Sequence, residues 1–305
     1  MPPSAWMTAP PPCLTSALFG LELSEASVLA AASYSFVVVT FINAAGATLA
    51  QSWMRQLRSL RLKALVGLTS QLPAEAQRRL ASDGATLFCA DGALARLKTM
   101  AAYEELANVV AVAARLGLDV VASDADVGWI ANPLPHLRAV RAYHPSVDLL
   151  LASDRVTNRL STTALTAADG QAAGLELEDA MAARLPALNV GFIVLFLRPN
   201  AAALLVMLRA WAEASLTPAG LRATRPRGPF PFWATAAKSL GRRRRAAAAR
   251  LTEDMIEHWP QGPINERVIG SGIARHPTDP RLARNAGNVT IGVLPSLQYT
   301  TALVT

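Results

Sequence analysis

The stretch that most constrains the fold is an apolar run that ends on two closely spaced carboxylates. Residues 118–123 are rich in β-branched and apolar side chains, and Gly117 separates them from the helical pattern that comes before. This pattern predicts a buried strand that is followed directly by Asp124 and Asp126. Ligands of open α/β sheets bind at the carboxyl ends of strands, so both carboxylates are expected at a binding edge.

Two hard oxygen ligands at this spacing suit Mg²⁺ or Mn²⁺, and such an ion would neutralise a diphosphate. An Asp-x-Asp sequence also occurs in turns, where Asp is favoured for its own hydrogen bonds. The strand before the pair, together with Trp129 and the Asn132-Pro133 dipeptide after it, favours the metal-binding interpretation. The sequence therefore predicts a divalent metal held by Asp124 and Asp126.

Strands and helices alternate through the first half of the chain. The predicted strands are residues 34–41, 63–69, 85–89 and 118–123, and the predicted helices are 47–60, 71–82 and 99–116. The first strand is continuously apolar, which is typical of a strand covered on both faces. This alternation predicts an α/β fold with a doubly wound, Rossmann-like sheet. The chain has no G-x-G-x-x-G, so the dinucleotide-binding fingerprint is absent.

The second half continues the pattern with one interruption. The segments predicted there are a strand at 147–154, a flexible loop at 155–173, a strand within 185–199, a helix at 199–216, a turn and helix at 253–270 and a strand within 288–305. Residues 217–250 are rich in Pro, Gly, Arg and Ala, which predicts an exposed low-complexity insertion. We therefore expect a poorly ordered lead over residues 1–33 and one domain over residues 34–305.

The net charge of +7 suggests a nucleic-acid partner until the charges are located. Residues 222–250 carry nine Lys and Arg and no acid, so the rest of the chain has a net charge of −2. The body of the protein is not a basic surface, and we expect no nucleic-acid partner.

Cys13 and Cys89 are the only cysteines. They allow one disulfide, although two free thiols are the favoured interpretation, and their spacing fits no metal site. The sequence shows neither an apolar run of about 18 residues nor a basic N-terminal region, so no membrane span, anchor or signal peptide is expected in it. The Asn288-Val289-Thr290 sequence is a glycosylation acceptor that matters only in a secreted chain.

The segment DVVASDADVGWIANPLPHL resembles the central motif of the plant and algal nucleotide-diphospho-sugar transferases, and is most similar to glycosyltransferase family 77, the extensin arabinosyltransferase and rhamnogalacturonan xylosyltransferase type. Further segments resemble that family in the same order, namely VVVTFINAAGATLAQSWMRQLRSL, LLLASD, LNVGFIVLFLRPN, WPQGPINERV and IGVLP. The resemblance covers about residues 34–305. It implies a single GT-A-like domain, a Rossmann-type mixed sheet flanked by helices.

The resemblance also implies a nucleotide-sugar donor, with a UDP-sugar favoured, and a divalent metal, usually Mn²⁺ and otherwise Mg²⁺. Asp124 and Asp126 would hold this metal against the diphosphate. Thr40 and Asn43 would contact the nucleoside, and Lys98 is the basic residue that precedes the motif.

On the sugar side, the resemblance places Asp154, Asn189, Gln261 and Asn265 towards the sugar or the acceptor. It implies transfer of a pentose or hexose, with retention of configuration, to a glycan or glycoprotein in the Golgi lumen. Cell-wall glycans are the acceptors that this resemblance suggests.

Two alternatives remain open. Pro260 stands where the family has Asp, the chain stops at Thr305, and neither His258 nor His276 lies where a C-terminal metal ligand is expected. These departures predict a catalytically inactive or truncated nucleotide-sugar-binding relative that acts as a scaffold. A phosphatase with the Asp-x-Asp pair as nucleophile and acid is less favoured, because the following Val127-Gly128 does not fit the turn expected there.

Overall fold

The computed structural model describes residues 21–90, 101–153, 177–181, 188–216 and 272–294. The predicted loop at 155–173, the predicted insertion at 217–250 and the predicted helix at 253–270 lie outside these residues.

Strands and helices alternate as the sequence indicates. The strands are β1 (Ala32–Ser33), β2 (Phe36–Ile42), β3 (Ala64–Leu68), β4 (Ala85–Cys89), β5 (Asp119–Ser123), β6 (Leu149–Ser153), β7 (Leu188–Leu195), β8 (Ala274–Arg275), β9 (Ala283–Arg284) and β10 (Thr290–Val293). The helices are α1 (Glu25–Ala31), α2 (Ala47–Ser59), α3 (Ala74–Ser82), α4 (Ala101–Arg115), α5 (Leu134–Tyr143) and α6 (Ala201–Leu216).

These ten strands form one mixed sheet in the order β4-β3-β2-β5-β7-β6-β10-β9-β8, with β1 added beside β2. Strands β2, β3, β4 and β5 are parallel, as are β6 and β10. Strand β7 runs antiparallel to both of its neighbours, β5 and β6. The start of β7 therefore lies at the same edge as the carboxyl ends of β5 and β6.

Helices cover both faces of the sheet, as continuously apolar strands require. Helices α1, α4 and α6 pack on one face, where Val110 and Trp211 are fully buried. Helices α2, α3 and α5 pack on the other, with Trp53 and Leu137 in the core. The predicted architecture is confirmed: an α/β fold with a Rossmann-type mixed sheet flanked by helices.

Within the predicted lead, the structure describes residues 21–33, which contain α1 and β1. Ser24 caps α1 by accepting the Ser27 amide at 3.2 Å, and the Ser27 hydroxyl accepts the Ser24 amide at 2.9 Å. Val28 and Ala31 of α1 are fully buried against the sheet. Helix α1 therefore adds two buried side chains to the core on this face of the sheet.

The expectation of two free thiols was wrong, because Cys89 is disulfide-bonded. The only other cysteine in the chain, Cys13, lies outside the described residues. The Cys89 amide donates to the Leu21 carbonyl oxygen at 2.7 Å, so the chain ahead of α1 runs beside the end of β4. This proximity is a tertiary contact that cysteine spacing alone does not reveal.

At the amino ends of the central strands, Asp119 is held by two contacts. It forms an ion pair with Arg141 and accepts the Leu197 amide at 2.9 Å. The Arg141 guanidinium also lies over the Phe196 ring, 5.2 Å from its centroid. Asp119 thus joins β5 to α5 and to the end of β7.

Asp148, just before β6, has a similar role. Its carboxylate accepts the Thr290 amide at 2.8 Å and the Asn200 side-chain amide at 3.2 Å. It is 3% exposed and links β6 to β10 and to the start of α6.

Among the described helices, none has both the length and the apolar character needed to cross a bilayer.

Candidate active site

The Asp-x-Asp pair lies at the carboxyl edge of the sheet, on a turn that follows β5. The Asp124 amide donates to the Gly191 carbonyl oxygen at 2.8 Å, which extends the pairing of β5 with β7 by one residue. The Val127 amide then donates to the Asp124 carbonyl oxygen at 3.2 Å and closes the turn. Asp126 is therefore presented at the end of the strand, exposed to solvent.

Neither carboxylate of the pair has a hydrogen-bond or ion-pair partner within the described part of the chain. Two acidic groups this close in sequence repel each other when both are ionised. A site of this kind attracts a cation, because a bound divalent ion replaces the repulsion between the carboxylates with two attractive contacts.

The Asp124 carboxyl reflects this environment. Desolvation by the surrounding protein, with a smaller contribution from the negative charge of Asp126, raises the pKa of Asp124 to about 7. Asp124 nevertheless has a large solvent-exposed surface. Solvent reaches the residue from one side while protein atoms surround the carboxyl on the others, so the free-energy cost of ionising it is smaller than full burial would give.

Gly191 brings a second strand close to Asp124. A Cβ on Gly191 would stand 2.9 Å from Asn189 Oδ1 and 3.1 Å from Asp124 Oδ2. Asn189 Oδ1 also accepts the Gly191 amide at 2.6 Å. The structure therefore brings two of the predicted site residues, Asn189 and Asp124, next to the same glycine, whose missing side chain leaves room for both.

Trp129 anchors the far end of the Asp-x-Asp loop. It is 6% exposed, and its indole N–H donates to Ser123 Oγ at 3.1 Å. Its backbone N–H donates to Gln56 Oε1 of α2 at 2.8 Å. Neither Gln56 nor Ser123 is among the site residues expected from the sequence. No local signal pointed to Gln56, which lies on α2 among ordinary helical positions.

The two residues expected near the nucleoside differ in their placement. Asn43 is exposed at the carboxyl end of β2, where its Oδ1 accepts the Gly46 amide at 3.0 Å and caps a short 3-10 turn. Thr40 is 2% exposed within β2, and its Oγ1 has no partner among the described residues. Strand β2 lies beside β5, with Val39 opposite Ala122, so the turn at Asn43 adjoins the Asp-x-Asp loop. The roles of Thr40 and Asn43 stay predictions.

Four predicted site residues, Lys98, Asp154, Gln261 and Asn265, lie outside the described residues, as do Pro260 and His258. Ser153, the residue before Asp154, pairs with Leu188 next to Asn189. The expected roles of all these residues stay predictions.

The described residues contain no group of three His, Cys, Asp or Glu side chains placed to hold an ion, so a metal at this edge would have only two carboxylates from them. His276 lies in the β8–β9 hairpin, where its ring nitrogens contact Thr278 Oγ1 and Arg284 Nη2, each at 3.2 Å. A pair of hard, unpartnered carboxylate oxygens fits Mg²⁺ or Mn²⁺, which commonly take one or two carboxylates and complete their shell with water and substrate phosphates.

Comparison with known proteins bears on this same edge of the sheet. Residues 100–221 match the family model of the nucleotide-diphospho-sugar transferases. The matched segment includes Asp124, Asp126 and Asn189. The match supports this superfamily and does not distinguish family 77 within it. A nucleotide-sugar donor is what such a transferase uses.

Among solved structures, mouse xyloside xylosyltransferase 1 in its apo form is similar at 14% identity and a TM-score of 0.32, over 56% of this chain and 71% of that one. At this score the likeness carries no argument about substrate or reaction. No curated protein matches the chain.

Proposed function

We propose that this protein is a metal-dependent glycosyltransferase that moves a pentose or hexose from a nucleoside-diphosphate sugar to a glycan or glycoprotein. The observation that carries the proposal is the unpartnered carboxylate pair, Asp124 and Asp126, at a binding edge of the sheet within the segment that matches the transferase model. The resemblance to family 77 supports retention of configuration, a cell-wall acceptor and a Golgi location.

In this proposal, Asp124 and Asp126 bind Mn²⁺ or Mg²⁺ against the diphosphate. The bound ion would supply Lewis-acid stabilisation of the leaving nucleoside diphosphate. Ionised Asp124 is needed for this, and the positive charge of the ion favours loss of the Asp124 proton. The turn between Asp124 and Val127 fixes where the two carboxylates stand relative to each other.

The remaining roles divide between the two sides of the Asp-x-Asp loop. On the β2 side, Thr40 and Asn43 contact the nucleoside, and Lys98 neutralises phosphate charge. On the β7 side, Asn189 contacts the donor sugar, because its side chain lies beside the same glycine as Asp124. Asp154 and Gln261 complete the sugar and acceptor contacts.

The test is calorimetric titration of UDP into the purified chain with Mn²⁺ and then with a chelator, followed by UDP-sugar hydrolysis assays with one sugar at a time. We expect Mn²⁺-dependent UDP binding that disappears in Asp124→Ala and in Asp126→Ala. Asp83→Asn is the matched control, because Asp83 lies at the end of α3 and pairs with Arg58. Metal-independent binding, or binding that survives both Ala substitutions, would contradict the proposed site.

The second candidate is a nucleotide-sugar-binding protein without catalysis. Pro260, in place of the Asp of the resembling family, favours it. Mn²⁺-dependent UDP binding without hydrolysis of any UDP-sugar, and without transfer to glycan acceptors, would favour this candidate. Turnover that is lost in Asp126→Ala would exclude it.

A further inference from the structure

Helix α2 touches the Asp-x-Asp loop through one polar side chain. Gln56 is half-buried on α2, and its Oε1 accepts the backbone N–H of Trp129 at 2.8 Å, across 73 residues of sequence. A buried backbone N–H without a partner is costly, so this contact satisfies a group that the loop itself leaves open.

The same tryptophan is held by its ring. It packs edge-to-face against Trp53, with centroids 6.3 Å apart, and lies 5.7 Å from the Phe192 ring. Its indole N–H donates to Ser123 Oγ, and the Ser123 hydroxyl in turn donates to the Asp124 carbonyl oxygen at 3.1 Å. The ring and the backbone of Trp129 are therefore fixed by different residues.

The main chain of the loop is therefore held at both ends by hydrogen bonds. At the start the Asp124 amide donates to the Gly191 carbonyl oxygen, and at the end the Trp129 amide donates to Gln56. Asp126 and Gly128, between these two hydrogen bonds, are exposed. Neither hydrogen bond uses a carboxylate oxygen of the Asp-x-Asp pair, so the loop is ordered while those oxygens stay available to a ligand.

We propose that Gln56 is a positioning residue, which sets the conformation of the Asp-x-Asp loop for its ligand through the Trp129 amide. This proposal rests on the proposed function for the identity of the ligand. Its geometric content, a loop ordered by Gln56, is independent of that function. Groups that orient metal-binding residues commonly change metal affinity by about 10- to 100-fold when removed.

The experiment compares Gln56→Leu, which removes the acceptor, with Gln56→Glu, which keeps an acceptor oxygen at the same position. Gln51→Leu on the same helix is the matched control. Hydrogen exchange of the peptide that contains residues 124–129 is measured without ligand, and UDP affinity is then titrated in Mn²⁺.

We expect faster exchange in that peptide and about 10-fold weaker Mn²⁺-dependent UDP binding in Gln56→Leu. Both properties should be close to wild type in Gln56→Glu and in Gln51→Leu. Unchanged exchange in Gln56→Leu overturns the positioning role whether or not UDP binds. If Gln56→Leu exchanges faster but the wild type binds no UDP, the result counts against the proposed function and leaves the positioning role intact.

A second inference comes from the opposite edge of the sheet and does not depend on the proposed function. Asn288-Val289-Thr290 is the only Asn-x-Ser/Thr sequence in the chain. Asn288 is exposed on the turn between β9 and β10, with φ of 62°, a left-handed conformation that Asn tolerates. Its carbonyl oxygen accepts the Asn200 side-chain amide at 3.0 Å, so the main chain is fixed while the Asn288 side chain is exposed.

The disulfide at Cys89 indicates that the protein folds in an oxidising compartment. Disulfides persist in oxidising compartments, which include the lumen of the secretory pathway. N-linked glycans are added to Asn-x-Ser/Thr sequences in that pathway. We infer that Asn288 carries an N-linked glycan. Asn288 precedes β10, which is parallel to β6, so the glycan would stand at the edge opposite Asp124 and leave the candidate site open.

The test expresses the full chain in eukaryotic cells behind a cleavable secretion signal, with a short acceptor tag that reports entry into the lumen. Digestion with an N-glycanase should increase the mobility of the wild type more than that of Asn288→Gln. Peptide mass spectrometry should find Asn288 converted to Asp. Thr290→Ser, which preserves the acceptor sequence, should keep the glycan. A glycosylated tag together with an unmodified Asn288 would overturn the inference.

Discussion

The two ends of the central strands carry aspartates in opposite arrangements. At the amino ends, Asp119 and Asp148 are buried. Each accepts one hydrogen bond from a backbone N–H and another from a side chain of a different element. At the carboxyl end, Asp124 and Asp126 are exposed and have no side-chain partner among the described residues. The same residue type on the same sheet is therefore structural at one edge and open to a ligand at the other.

The causes of the pKa shifts show the same contrast. Burial raises the pKa of Asp119 and of Asp148, but hydrogen bonds and nearby arginines oppose the rise in both. Burial also raises the pKa of Asp124, and there the charge of Asp126 adds to the rise, with no opposing hydrogen bond or cation. Acidic groups whose neighbours oppose their ionisation are found most often at functional sites. At the carboxyl edge the Asp124 carboxyl therefore has no compensating partner among the described residues, which is the arrangement that the proposed metal site requires.

The largest expected effect is on the amino edge. Asp119→Ala leaves the Arg141 charge and the Leu197 amide without their partner, and we expect a loss of about 4 kcal/mol in the free energy of unfolding. Urea denaturation measures it. Asp83→Ala, which removes a pair with an exposed arginine, should cost less than about 1 kcal/mol. Similar losses in the two variants would break the contrast between buried and surface carboxylates.

At the carboxyl edge the large effect should fall on binding instead. Asp126→Asn replaces one of the two carboxylates of the proposed metal site with a neutral amide, and we expect Mn²⁺-dependent UDP affinity to fall about 100-fold, or about 3 kcal/mol. The free energy of unfolding should change by less than about 0.5 kcal/mol, because Asp126 is exposed. Calorimetry and urea denaturation give the two quantities. A stability loss as large as that of Asp119→Ala would mean that Asp126 is structural.

A smaller effect should follow from filling the space beside Asp124. In Gly191→Ala the new Cβ would approach Asn189 Oδ1 to 2.9 Å and Asp124 Oδ2 to 3.1 Å, so one of these side chains must move. We expect a stability loss of about 1–2 kcal/mol and weaker Mn²⁺-dependent UDP binding. Gly128→Ala is the control, because a Cβ there meets no atom within 4 Å. Equal UDP affinity in the two variants would show that the crowding is harmless.

The smallest effect is a gain in stability that depends on pH. The folded-state pKa of Asp124 is raised to about 7 from its ordinary value of 3.8, so the folded state holds the proton more tightly. Stability due to this group is present below pH 3.8 and is lost as pH rises through about 7. In metal-free buffer above pH 7, Asp124→Asn should therefore be more stable than wild type.

The difference should be about 1 kcal/mol, because solvent at this exposed carboxyl screens most of the full effect of the shift. It should shrink towards zero near pH 4, where both side chains are neutral. Thermal unfolding at a series of pH values measures it, and added Mn²⁺ should stabilise only the wild type. A gain in Asp124→Asn that does not depend on pH would contradict the stated origin.

The sequence anticipated much of the core and one part of the site. Apolar periodicity predicted β2 to β5 and the helices between them within a few residues, and it placed Asp124 directly after a buried strand. These features are local, since a strand or helix shows its buried face in the spacing of its own residues. The disulfide at Cys89 was missed, because it depends on a contact with a distant segment.

By itself, the sequence determined the alternating strand and helix pattern and the position of two carboxylates at the end of β5. Tertiary structure alone decided the surroundings of those carboxylates. The reversal of β7 brings Asn189 and Gly191 to Asp124, and the packing of α2 brings Gln56 to Trp129. Tertiary contacts also satisfy Asp119 and Asp148. Local periodicity reports which face of an element is buried, but pairings across the sheet and between distant helices form only when the whole chain packs.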